Sequence, residues 1–290
     1  MAQMPIGIKP KCSFICASYD RKKIATIPDL GRGEKDDNFH EVKKCLQQYN
    51  YLGESSPDSQ NTLDESTASA LETFQQRYNI PQSGVLGHET KEAMAKPRCA
   101  MPDLQPGALA FSISGAWRHR NLTYALGKLS QSIAPSVCEA AIERALTTWS
   151  NAGVGLTFNK VADTEDHDIF IEWRRADDPD LNMAGSTLAH ADFPPGFSLI
   201  LDGPPVPLHF DDEEHTWSDG AFEDEFDIET TCLHEIGHCL GLYHSKVPES
   251  IMFPTVSSNM TSRTLADDDV KGIRRLYKTR PNVPSRSEPN

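Results

Sequence analysis

Apolar residues recur at helical spacing in three places along the chain. Val42, Cys45, Leu46 and Tyr49 form one stripe and Ala70, Leu71, Phe74 and Tyr78 a second. Together they predict helices that share a core within a small helical unit at residues 36–96. A third stripe, Cys138, Ile142, Ala145, Leu146 and Trp149, predicts a helix that opens on a capping box of Ser136 with Glu139 and ends near Gly153. The period changes to two at 168–173, which predicts a strand, and another strand is predicted near Leu122. Two more helices are predicted at about 226–240 and 265–277. Residues 1–35 show no periodicity and end in GRGEKDD, so they are expected to be a poorly ordered lead-in. The Pro/Gly/Ala/Ser-rich stretch 97–116 is expected to be an exposed linker, and the loops of 177–220 to be irregular. The resulting fold class is α+β (mixed): a helical unit, then a larger mixed unit over 117–280, then a tail at 281–290.

Composition narrows the chemistry. The 290 residues carry 42 acidic against 28 basic side chains, a net charge of −14, which argues against a nucleic acid or an anionic membrane as partner. From Asp163 to Glu229 there are 20 Asp and Glu but only Arg174 and Arg175 as basic residues, a composition that suits hard cations as well as a solvated surface. No apolar run is long enough to span a membrane, and the first 23 residues lack a continuous apolar core of the secretory kind. Seven cysteines leave the redox compartment open. Cys232 and Cys239 would lie about 10 Å apart along a helix, too far to bridge one another. They are expected to be small buried apolar groups.

The most informative string is HEIGHCLGLYH at 234–244. His234 and His238 fall on one helix face, so both imidazoles can reach one metal ion. Gly241 accepts the positive φ of a turn that brings His244 to the same ion. Three neutral nitrogen ligands leave a fourth position of a tetrahedral zinc open, as catalytic sites do. Glu235, beside the first ligand, can reach water there without binding the metal. A bare H-E-x-x-H arises by chance on amphipathic helices, but the added glycine and third histidine make the metzincin signature, and Met252 in VPESIMFP stands where that signature places its methionine turn.

The wider chain resembles the matrix metalloproteinases, or matrixins. HSKVPESIMFPT (244–255) is similar to the family's run from third ligand through methionine turn, and LADDDVKGIRRLYK (265–278) to its last helix. LTYAL after Trp117 resembles its first catalytic strand, LAHA (188–191) and HFDDEEHTW (209–217) its edge strand and metal loop, and PRCAMPD (97–103) its cysteine-switch motif. The resemblance implies a peptidoglycan-binding-like pro-domain at 36–96. A switch segment and activation linker would come next at 97–116, and then a metzincin catalytic domain with a twisted mixed sheet and three helices. A hemopexin-like domain is not expected. It implies a secreted, monomeric, latent zinc endopeptidase that cuts extended peptide or protein substrates with zinc-activated water and Glu235 as general base. Cys99 would hold it inactive as a ligand, with Arg98 and Asp103 paired to fix the loop. Leu188 and Ala189 would bind substrate main chain to main chain.

Several positions depart from the family's pattern. Ala100 and Met101 replace its usual switch residues, and a β-carbon at Ala100 is expected to weaken latency. Val256 stands where relatives commonly have tyrosine. The resemblance implies a second zinc at Asp178, Asp180, His190 and His209, with Asp178 where relatives carry histidine. Calcium would use Asp211 and Glu214, with Asp168 at another site, and Asn182 replaces one of its expected aspartates. Asn121 and Asn259 begin glycosylation sequons. A binding module, another metzincin family and a cytosolic metalloprotease are the competing readings. The intact Glu235 and ligand triplet weigh against the first, and the cysteine switch with LAHA against the second.

Overall fold

The computed structural model describes residues 19–53, 59–104, 115–185, 187–201 and 203–278. Cys12, Cys16, residues 105–114 of the expected linker and the tail at 281–290 lie outside the described residues. The N-terminal unit begins earlier than its periodicity suggests. Residues 19–35, expected as lead-in, contain helix α1 (Arg21–Thr26), whose first N–H groups at Lys22 and Lys23 are accepted by the Asp20 side chain. Tyr19, Ile24, Ile27 and Leu30 are buried in one core with the two predicted stripes. Six helical residues are too few to show a stripe, which is why the pattern missed them. Helices α2 (Phe39–Gln48), α3 (Glu65–Arg77) and α4 (His88–Ala95) complete the unit. Asp64 caps α3 by accepting from the Thr67 N–H and pairs with Lys43 at 2.7 Å, which ties α3 to α2.

The second unit is built on a six-stranded sheet. Its strands are β1 (Arg98–Cys99), β2 (Asn121–Leu126), β3 (Thr157–Lys160), β4 (Ile169–Arg174), β5 (Thr187–Ala191) and β6 (Val206–Asp211), in the order β1-β5-β6-β4-β2-β3. All neighbours are parallel except β5 with β6. β4 buries Ile169, Ile171 and Trp173 and leaves the alternate positions partly exposed, as its two-residue period requires. Strands β7 (Thr216–Ser218) and β8 (Glu225–Asp227) pair separately. The stretch 177–220, expected to be irregular, therefore holds three strands.

Helix α5 (Pro135–Ser150) carries the third stripe inward, with Cys138, Ile142, Ala145 and Trp149 all fully buried. The expected capping box does not form. The cap position is Ala134, and Ser136 already lies inside the helix behind Pro135, whose missing N–H costs nothing in a first turn. Gly153 lies just past the helix at φ +78°, a left-handed turn that glycine adopts without strain. Helix α6 (Ile228–Cys239) is buried along its whole length against α5 and the sheet, and α7 (Asp267–Lys278) closes the unit. Cys232 and Cys239 are buried free thiols, as expected.

A candidate metal centre closed by a cysteine

Helix α6 owes its position to groups at both ends. At the start the Asp227 side chain accepts from the Thr230 N–H, and it is itself held by Arg263. At the end the Trp117 indole donates to the Cys239 carbonyl at 2.7 Å and the Tyr277 hydroxyl to the Leu240 carbonyl at 3.1 Å. These are carbonyls that a helix C-terminus leaves without partners. Beyond Gly241, at φ +103°, the chain reverses and returns His244 to the helix.

The three imidazoles converge. His234 Nε2 and His238 Nε2 lie 3.3 and 3.2 Å from His244 Nε2. Zinc–nitrogen bonds of about 2.0–2.1 Å at tetrahedral angles place ligand nitrogens roughly 3.3 Å apart, so the spacing fits zinc. Cys99 Sγ is 3.5 Å from His238 Nε2, close to the roughly 3.6 Å edge that a zinc thiolate makes with an imidazole ligand. All four donor atoms lie within 4.8 Å of one another, and all four residues are buried. Burial pushes His234 down to about 3 and His244 down to about 4, and His238 well below its ordinary value, so each ring is neutral and able to ligate at pH 7. Each also donates its Nδ1 proton: His234 to the Ile251 carbonyl, His238 to the Leu242 carbonyl and His244 to Asp103, each at 2.7 Å.

Glu235 points into the same space. Its Oε2 accepts from the Cys99 thiol at 3.5 Å, and its buried Oε1 has no partner among the described residues. Burial pushes the Glu235 carboxyl up to about 8. The same burial, with the Glu235 charge beside it, pushes the Cys99 thiol well above its usual range. A cation among these donors acts in the opposite direction, since a coordinated thiol loses its proton. Met252 lies directly under the helix: a β-carbon on Gly237 would meet its sulfur at 2.3 Å. Asp269 holds that turn, accepting from the N–H of Ile251 at 2.9 Å and of Met252 at 3.3 Å.

Cys99 arrives on a strand. β1 pairs with the edge of β5 so that Cys99 lies opposite Ala189, and the Ala100 N–H donates to the Ala189 carbonyl at 3.0 Å. On the other side the Cys99 N–H donates to Pro254 and the Val256 N–H to Pro97. Residues 97–103, expected as exposed linker, thus fill the cleft between Leu188–Ala189 and the chain after Met252. Ala100 and Met101 are fully buried beside Leu181, Phe193 and Ile200. The β-carbon of Ala100, expected to be a liability, is accommodated in this cluster. Asp192 shapes its far wall by accepting from four backbone N–H groups, of Phe193, Leu199, Ile200 and Leu201. That clamp was not foreseen, and a single aspartate ahead of FPPGFSLIL carries no signal that could have announced it.

Arg98 donates to both oxygens of Asp103, at 3.0 and 2.6 Å, and its guanidinium lies 3.3 Å over the Tyr49 ring. Tyr51 donates to Asp103 at 2.7 Å. Burial alone would raise the Asp103 carboxyl, but Arg98 and the His244 hydrogen bond outweigh it and hold it well below the usual carboxylate range.

A model of the matrixin family matches residues 116–278, which span β2 to β8, the ligand helix and α7. The chain belongs to the matrixin family. A second model, described as a putative peptidoglycan binding domain, matches residues 35–94, the helical unit. Among curated relatives, matrix metalloproteinase-25 of Mus musculus is 35% identical over 80% of this chain and 40% of its own length. The hatching enzyme of Paracentrotus lividus is 32% identical over 84% of this chain and 40% of its own. Matrix metalloproteinase-19 of Homo sapiens is 32% identical over 80% and 44%. The chain spans less than half the length of these relatives.

Elsewhere the structure brings the residues of the expected ligand sets together only in part. Asp178, His190 and His209 gather into a second cluster that could hold a metal ion. Asp180, expected as the fourth ligand, instead accepts from Arg174 at 2.8 Å, and its nearer oxygen stays 3.9 Å from His209. The same Arg174 nitrogen reaches Asp178 at 2.9 Å. Asp168 is engaged by His119 at 3.1 Å and by the Thr123 N–H at 2.8 Å. Asp211 is buried with Oδ2 unpartnered among the described residues, and burial pushes its carboxyl up to about 6. Glu214 accepts from the Gly185 N–H, and Asn182 from the Ala184 N–H.

Proposed function

We propose that this chain is a latent zinc metalloendopeptidase, and that residues 97–103 keep it latent by occupying the substrate cleft. One arrangement carries the reading: three imidazoles at tetrahedral spacing, closed by Cys99, with the unpartnered Glu235 oxygen beside them. Zinc held by His234, His238 and His244 would supply Lewis acidity, polarising a peptide carbonyl and acidifying water. Glu235 takes the proton of the attacking water at its free Oε1 and passes it to the leaving amine. The β5 edge at Leu188 and Ala189 binds an extended peptide main chain to main chain, as it now binds β1. The wall from Pro254 to Val256 holds the peptide's other side. Met252 fixes the floor beneath the ligands.

Latency has two parts in this reading. Cys99 takes the fourth metal position, and β1 takes the place of the substrate strand. Cleavage between Cys99 and Trp117 releases both. Secretion and protein substrates accord with the family's pattern. A second zinc at Asp178, His190 and His209, and calcium near Asp211 and Glu214, with another at Asp168, extend the proposal. The partnerless Asp211 oxygen supports the calcium and the convergent imidazoles support the zinc.

The test is an assay of the full-length chain on a quenched-fluorescent generic peptide before and after clipping. Activity that appears only after clipping, and disappears on zinc chelation and in Glu235→Ala, is the expected result. Zinc-loaded protein that stays silent in both forms would overturn it in favour of a binding module.

A further inference from the structure

Two of the three ligand imidazoles are oriented by the unit that carries them. His234 donates to the Ile251 carbonyl and His238 to the Leu242 carbonyl. The third is oriented from outside that unit: His244 Nδ1 lies 2.7 Å from Oδ1 of Asp103, and the side chains of both residues are fully buried. The helical unit grips the same residue directly, because Arg77 of α3 donates to the His244 carbonyl at 2.7 Å. Asp103 itself is fixed by Arg98 and by Tyr51.

We propose that Asp103 is a positioning residue for the metal ligand His244, so that the N-terminal segment strengthens zinc binding through an imidazole as well as through Cys99. This rests on the zinc reading of the site. A carboxylate that accepts the far N–H of a ligand imidazole fixes its tautomer and raises its basicity, and loss of such a partner typically costs 10–100-fold in metal affinity. A carbonyl does the same less strongly. Clipping between Asp103 and Trp117 then removes one ligand and the strongest of the three orienting partners in one event. The released catalytic unit holds its zinc less tightly than the intact chain, by more than the loss of the thiolate accounts for.

Asp103 also positions Cys99 through Arg98, so the test must separate the two routes. Zinc affinity is measured by chelator competition on the full chain as wild type, Cys99→Ser, Asp103→Asn and the double variant. The expected result is that Asp103→Asn still lowers affinity about tenfold or more when Cys99 is already serine. Unchanged affinity in that background overturns the proposal and leaves Asp103 as a support for Cys99 alone. A wild-type chain that binds no stoichiometric zinc overturns the zinc reading itself, a separate outcome. Should Asp103→Asn fail to fold, the unaltered zinc-loaded chain still decides the matter by nuclear magnetic resonance. The Nδ1 proton of His244 should resonate downfield of those of His234 and His238, as a bond to a carboxylate requires, and equal shifts overturn the proposal.

Discussion

Glu235 is buried on all sides, yet one of its oxygens has no partner among the described residues, an arrangement that costs about 1–3 kcal/mol in an ordinary core. The proposed role as general base would give that oxygen its partner during reaction. Glu235→Gln preserves the shape and removes the base, so hydrolysis by the clipped chain should fall about 10²–10⁴-fold while zinc content, read by elemental analysis, stays the same. Arg174 presents the opposite case, a cation seated where a metal is expected. It shares Asp178 with the cluster of His190 and His209 and holds Asp180 away from it, and its charge opposes that of any metal ion bound there. Arg174→Ala frees Asp180 to turn toward His209. The variant should take up a second zinc more tightly than the wild type in equilibrium dialysis, and equal uptake would show that the guanidinium does not compete.

At the scale of elements, α6 is positioned by contacts rather than by its own propensity. Gly237 sits in the helix interior, where glycine costs up to about 1 kcal/mol relative to alanine. It is there because the Met252 sulfur and the Trp149 ring occupy the space a β-carbon would need, at 2.3 and 3.1 Å. Gly237→Ala should therefore destabilise by about 1–3 kcal/mol despite its better helix propensity, seen as a lowered denaturant midpoint, and a raised midpoint would mean the methionine turn is free to retreat. Helix α5 and strand β4 were legible because each buries a stripe with a clear period, and the ligand helix, buried on every face, was legible from its histidine spacing instead. The N-cap of α5 was misread because Ser136 and Glu139 have the right spacing, and only Pro135 marks where the first turn begins. Helix α1 was invisible because six residues hold less than two turns of pattern. The donors of the metal site were legible from local spacing. Of the partners of Asp103, Arg98 was legible from the switch motif, but Tyr51 and Arg77 were not, because they come to it from a different unit.

For the molecule as a whole, buried histidines set the response to acid. His215 is pushed down to about 4, His234 to about 3, His244 to about 4 and His238 further, mainly by burial. In the unfolded chain each titrates near 6.5, so below that pH the unfolded state binds more protons and stability falls as pH falls. The raised carboxyls of Asp211 (about 6) and Glu235 (about 8), with those of Asp192 and Asp269, act in the other direction, but the lowered histidines, His209 included, outnumber them. Zinc adds to the same slope, because its ligands must be deprotonated. The thermal midpoint should drop steadily from about pH 6.5 to about pH 4 and more steeply with zinc bound; a flat profile over that range would contradict the buried neutral rings. The pairing of β1 with β5 has a consequence for the handling of the cleaved protein. While β1 is in place the sheet edge at Thr187 and Ala189 is covered. Once it leaves, a bare strand edge faces solvent, and such edges recruit any extended chain, including one from a sister molecule. The cleaved form should therefore keep best dilute or with a peptide ligand present, and concentrating it bare should favour clumping.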